Sequence, residues 1–102
     1  MTDQLKIGIV GAGGRMGRML VQVVAESESC VLGGASEVPG STLVGSDAGT
    51  LSGVGENGVI ITDDTAAMFG KVDAVIDFTV PAATATHAAL AAENGCALIA
   101  GT

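Results

Sequence analysis

Leu5-Lys6-Ile7-Gly8-Ile9-Val10-Gly11-Ala12-Gly13-Gly14-Arg15-Met16-Gly17-Arg18 is the stretch that decides the fold. Leu5–Val10 is an apolar run around Gly8, suited to a strand buried on both faces. Glycines follow at once. Behind them Met16, Met19, Leu20, Val23 and Val24 recur at helical spacing, which predicts a helix over Arg15–Glu26. A strand running through a glycine turn into a helix aims backbone N–H groups and the positive end of the helix dipole at one spot, which suits an anion. Each glycine has a task in such a turn: Gly11 permits the tight bend, Gly13 and Gly14 let a pyrophosphate approach the backbone, and Gly17 lets the helix pack on the strand. The spacing departs from G-x-G-x-x-G, because Met16 takes the sixth position and Gly17 follows it. It fits G-x-x-G-x-x-G through Gly11, Gly14 and Gly17. The setting, strand before and helix after, carries the reading more than the glycines do.

Outward from the turn, Cys30–Ser36 reads as a second strand, with Gly33 and Gly34 blurring its edges. Glu37 ends it, where a carboxylate can accept hydrogen bonds from both hydroxyls of an adenosine ribose. Arg15 lies inside the turn and Arg18 one step into the helix, two of the four basic residues, giving an anion local support. For Arg18, a solvated side chain at the helix start is the plainer alternative. Val38–Gly58 has no clear period where a crossover helix is expected, and loops that long are usually functional or mobile. Val59–Thr62 reads as a short strand. Asp63 and Asp64 stand where a helix N-cap belongs and Gly70 where a C-cap belongs, predicting a short helix over Thr65–Phe69. Val72–Phe78 is a further strand, Pro81 opens a helix running to Asn94 and Gly95, and Cys96–Ala100 is the last strand. This alternation predicts an α/β fold: a Rossmann-type doubly wound parallel sheet, five strands in the order 3-2-1-4-5 under right-handed crossovers.

A chain of 102 residues makes one domain. Its net charge of −7, with no Trp or Tyr, offers neither a phosphate-backbone footprint nor an aromatic stacking platform, so nucleic acid is excluded as an expected partner. The N-terminus has no basic segment leading into a long apolar run, which argues against a signal peptide or membrane span. Cys30 and Cys96 form no C-x-x-C pair and read as reduced, buried thiols of a cytoplasmic protein. A single histidine, His87, without a cluster gives no metal site. Asp73 and Asp77 flank a strand, so Asp77 is expected to cap the adjoining turn and not to work as half of a carboxylate pair. His87, on an alanine-rich helix, reads as a packing or surface residue. Ser46, Ser52 and Thr79 have no identifiable base, so nucleophilic catalysis has no support.

Four segments in order, Gly11-Ala12-Gly13-Gly14-Arg15-Met16-Gly17-Arg18, Gly45-Ser46-Asp47-Ala48-Gly49, Asp77-Phe78-Thr79-x-Pro81 and Gly101-Thr102, resemble the dihydrodipicolinate reductase family over nearly the whole chain. The resemblance implies an NADH- or NADPH-dependent reduction of the ring derived from 4-hydroxy-tetrahydrodipicolinate, in lysine and diaminopimelate synthesis. It implies a cytoplasmic homotetramer assembled through a C-terminal domain. It also implies that Gly11, Ala12, Gly13, Gly14, Arg15 and Met16 line the pyrophosphate, that Glu37 holds the adenosine ribose, that Phe78 and Thr79 sit beside the cofactor, and that Gly101 and Thr102 begin the turn near the nicotinamide. The family's paired histidines and lysine have no counterpart here, and its closing strand comes from further on. Residues 1–102 therefore read as a dinucleotide-binding domain whose sheet is incomplete at its C-terminal end, and which binds cofactor without catalysing. Val38 stands where some relatives carry a basic residue for the 2′-phosphate of NADPH, which favours NADH, with Arg15 as a counterweight. Two other readings share the opening motif: the cofactor domain of another amino-acid or semialdehyde dehydrogenase, and a non-catalytic NAD(H)-sensing module.

Overall fold

Alternation along the first strand decides which helices cover which face. The computed structural model describes residues 4–77 and 81–100. In β1 (Leu5–Val10), Ile7 and Ile9 point to one side of the sheet and Val10 to the other. On the first side lies α1 (Arg15–Glu26), which buries Gly17, Val21 and Val24. The expected apolar stripe of this helix is thus turned: Met16, Met19 and Val23 are about half exposed. The reason is Gly17, whose close seat against the turn rotates the buried face toward Val21 and Val24. Strand β2 (Cys30–Ser36) pairs in parallel with β1, with a register shift at Ile7/Gly8 that leaves Gly33 as the extra residue.

Within Val38–Gly58 the structure contains a one-turn helix, α2 (Ala48–Leu51), where no helix was legible. Four residues are too few to print a helical period. Its cap was visible as a residue type, because the Asp47 carboxylate accepts from Thr50 N at 2.9 Å and gathers Gly58 N (2.9 Å) and Asn57 N (3.2 Å) as well. Val59–Thr62 lies beside β2 as the order 3-2-1-4-5 requires, yet it forms only isolated bridges, Ser36 with Thr62 and Asp47 with Ile60. Its backbone groups are divided: Ala48 N donates to Val59 O and Ile61 N to Ser46 O, while Glu37 N donates to Thr62 O. The bonds to residues 45–48 lie on the edge away from β2, and toward β2 Thr62 also donates its N to Ala35 O at 3.0 Å.

Asp64 N-caps α3 (Thr65–Phe69) by accepting from Ala67 N at 3.1 Å. The helix delivers Met68 and Phe69 to the second face of the sheet, where Met68 fills the space that side chains at Gly8 and Gly34 would occupy. Strand β3 (Ala74–Asp77) is shorter than expected; Val72 is buried ahead of it, and Phe78 is outside the described residues. Then come α4 (Pro81–Glu93) and β4 (Ala97–Ala100). Gly95 ends α4 with φ +62°, letting Cys96 N reach back to Ala91 O at 2.9 Å, so Cys96 closes the helix and does not start the strand. The described sheet has four parallel strands in the order β2-β1-β3-β4. With α1 and α2 on one face and α3 and α4 on the other, it is a Rossmann-type α/β fold. Cys30 and Cys96 are free and half-buried, less enclosed than the sequence suggested.

Candidate functional site

The turn after β1 spends its first amides internally. Gly11 N and Ala12 N both donate to Ser36 O, at 2.9 and 3.0 Å, and Gly14 N donates to Gly11 O at 3.1 Å. Gly11 makes this possible with φ +76°, a conformation that L side chains rarely adopt. Gly14 is the N-cap of α1, in extended conformation, and no side chain caps the helix there. The opening amides of a helix have no partners within it, so this end presents unclaimed donors beside the exposed Gly14, Arg15 and Met16. A hollow of about 230 Å³ adjoins it, lined by Val10, Gly11, Gly14, Met16 and Leu20 among others.

The glycines divide their work differently from the sequence reading. A Cβ at Gly17 would overlap Gly11 O and the Ala12 backbone, so helix and turn touch there as expected. A Cβ at Gly14 would meet only Gly11 O, at 3.4 Å, and otherwise open space. A Cβ at Gly13 would run into Leu43 Cδ1 and lie 3.1 Å from Glu37 Oε2. Gly14 thus leaves room for a ligand, whereas Gly13 leaves room for the protein's own side chains.

Glu37 is half-buried at the end of β2, and its carboxylate is oriented by two backbone donors, Gly13 N to Oε2 at 2.8 Å and Val38 N to Oε1 at 3.2 Å. Arg18 Nε donates to Gly13 O at 2.9 Å, so the Gly13 peptide is gripped from both sides. This assigns Arg18 to bracing the turn. Arg15 remains exposed beside the helix start. The structure therefore brings Gly11–Met16 and Glu37 into one locus at the carboxyl end of the sheet. Phe78, Thr79, Gly101 and Thr102 lie outside the described residues.

Asp73 and Asp77 stand at opposite ends of β3 and form no pair: Asp73 Oδ2 accepts from Lys6 N at 2.8 Å, at the amino end of the sheet. At the other end, Asp77 is fully buried, and its Oδ2 lies 2.6 Å from His87 Nδ1. The turn that Asp77 is expected to cap lies outside the described residues, and the sequence alone makes His87 a packing or surface residue. His87 is instead the hydrogen-bonding partner of a buried carboxylate, and its ring centroid is 6.1 Å from that of Phe69. The available signal was an acid at a strand end followed, ten residues on, by the helix's one histidine. Donation from the Thr50 amide, joined by those of Asn57 and Gly58, holds the Asp47 carboxyl below the ordinary value of 3.8. Burial, reinforced by the nearby Asp73 charge, pushes the Cys96 thiol upward. No described helix is long and apolar enough to cross a membrane, and no described cluster of His, Cys, Asp and Glu could hold a metal.

Fold and turn together define a Rossmann-type domain whose glycine turn and acidic strand end share one corner of the sheet. Residues 5–102 match the family model described as dihydrodipicolinate reductase, N-terminus. The chain belongs to that family. It is 46% identical over 100 residues to a 4-hydroxy-tetrahydrodipicolinate reductase of Rhizobium meliloti, covering 98% of this chain and 41% of the relative. It is 48% identical over 102 residues to the protein of that name in Bradyrhizobium diazoefficiens, covering all of this chain and 37% of the relative. The chain thus spans about two-fifths of the length of the curated relatives it matches.

Proposed function

We propose that residues 1–102 form the NAD(P)H-binding part of a 4-hydroxy-tetrahydrodipicolinate reductase of the cytoplasmic lysine and diaminopimelate route, a homotetramer when whole. The observation that carries the reading is the uncapped start of α1 at Gly14, open on its outer side, with the Glu37 carboxylate tethered beside it. These residues fit a dinucleotide: the opening amides of α1 beside Gly14, Arg15 and Met16 would hold the pyrophosphate, on a turn shaped by Gly11, Ala12 and Gly13, and Glu37 would hold the adenosine ribose. Phe78, Thr79, Gly101 and Thr102 are proposed, by family resemblance, for the nicotinamide side. The bound cofactor supplies a hydride for a cyclic dicarboxylate substrate. The chain's own residues bind and orient it, and none of those described is proposed to donate the substrate's proton. NADH is the favoured cofactor, because Glu37 is followed by the exposed Val38 and a 2′-phosphate would meet a carboxylate there without a neighbouring cation.

Calorimetric titration tests this. The unaltered chain should bind NADH about tenfold more tightly than NADPH, and Gly14→Val should weaken NADH binding by about tenfold or more while circular dichroism stays unchanged. Gly14 is a cleaner target than Gly13, where a new side chain would strike Leu43 and Glu37. Unchanged affinity in folded Gly14→Val overturns the assignment, and a clear NADPH preference would mean that Arg15 outweighs Glu37. An NADH-oxidation assay on freshly generated substrate should give no turnover above background from residues 1–102 alone.

A further inference from the structure

The carboxyl rim of the sheet is a single register row. Val10, which leads into the glycine turn, has Ser36 as its Cα partner on one side and Asp77 on the other, and Asp77 is in turn partnered by Ala100. Ligands of open parallel α/β sheets lie outside this rim, across the point where the strand order reverses. Glu37 and Leu43 occupy the β2 side of that point, which assigns the adenosine half of a dinucleotide there. The nicotinamide half then falls over β1, β3 and β4, where Asp77 is the rim residue of β3.

Asp77 is completely buried, and a buried carboxylate is costly unless its charge is answered by hydrogen bonds. His87 Nδ1 answers it at 2.6 Å, a close hydrogen bond to the carboxylate. The histidine sits about two turns into α4, with 12% of its side chain exposed, and its ring packs against Phe69 of α3. One contact therefore ties the end of β3 to α4, and through the ring to α3. Strand and helix are joined by only the three residues between Asp77 and Pro81, so a bond across the two elements fixes both ends of that connection.

We propose that Asp77 and His87 are a positioning pair for the nicotinamide half of the cleft: they set the height and angle of α4 against the rim, and so the wall on which the ring rests. This deepens the dinucleotide reading above and rests on it. The pair acts through the backbone it holds, since His87 Nδ1 is engaged by Asp77.

The test compares two ligands on the 102-residue chain, NADH and ADP-ribose, which lacks the nicotinamide ring. His87→Phe fills similar space without a donor. It should lower NADH affinity about tenfold and leave ADP-ribose affinity within about twofold, whereas a merely structural loss would weaken both alike. His87→Asn, which keeps a donor near the Nδ1 position, should recover most of the NADH affinity. If His87→Phe does not hold its fold, Asp77→Asn carries the same comparison, with an expected selective loss of about threefold. Equal effects on the two ligands, or none on either, overturn the pair's role. Binding of neither ligand by the unaltered chain overturns the dinucleotide reading itself, and this one with it.

Discussion

Asp47 does at residue scale what a loop cannot do through packing. Its two oxygens collect the amides of Thr50, Asn57 and Gly58, while Asn57 Oδ1 accepts from Gly49 N at 3.3 Å, so a glycine-rich segment acquires one definite path. Because those donors favour the ionised form, the folded pKa lies below the unfolded one. A depressed carboxylate contributes stability above its unfolded pKa, and the contribution disappears as pH falls through the folded value. The unaltered protein should therefore be more resistant to urea than Asp47→Asn at neutral pH, with the gap closing as pH drops below 3.8. Urea midpoints for both chains across the acid range check this. Parallel curves would mean that the carboxylate's charge is irrelevant. Reading the sequence by residue type singled out Glu37 and the glycine turn, which the structure brings together at one corner of the sheet. It missed the bond between Asp77 and His87, which exists only after β3 and α4 have packed, and it credited Gly13 with a ligand-facing role that Leu43, thirty positions on, takes away.

Among the elements, those ended by strong local signals were legible and those ended by competition were not. α4 is alanine-rich and shows little amphipathic pattern, yet Pro81 and the positive φ of Gly95 bound it, and both act through the backbone alone. Val59–Thr62 has the composition of a strand but meets the end of β2 through Thr62 and residues 45–48 through its other edge, a placement that no window of sequence contains. α3 illustrates how much a cap can carry. It is five residues long, too short to be stable alone, and yet it brings Met68 and Phe69 into the core. Asp64→Ala removes the acceptor for Ala67 N, at a cost of about 1 kcal/mol. The melting temperature should fall by about 4–8 °C. Calorimetry will show it, and a change within error would mean that packing of Met68 and Phe69 holds the helix start unaided.

At the scale of the whole molecule, two cores share one sheet. The first gathers Ile7, Ile9, Val21, Val24 and Ile61 under α1, and the second gathers Val10, Met68, Phe69, Val72 and Val75 under α3 and α4. β1 belongs to both. The candidate site lies at the carboxyl end of that shared strand, so its geometry depends on both cores being complete. Strand order was legible because right-handed crossovers leave few choices once the parallel strands are recognised. The number of fully paired strands was not.

The position of β1 also has a consequence in time. It emerges before the other described strands during synthesis, but its partner across the second core arrives late: Lys6 pairs with Asp73, 67 residues further on. At roughly 5–20 residues per second, the ribosome needs about 3–13 s to supply that partner. Through this interval β1 can pair with β2 and receive α1, while the face that Met68 and Val72 will cover stays open to any neighbouring chain. The hazard is greatest for a molecule half made. Arrested nascent chains exposed only through Thr62 should be cut within β1 by a brief protease pulse, and chains exposed through Ala100 should resist it. Equal resistance at both lengths would mean that the first core alone protects the strand.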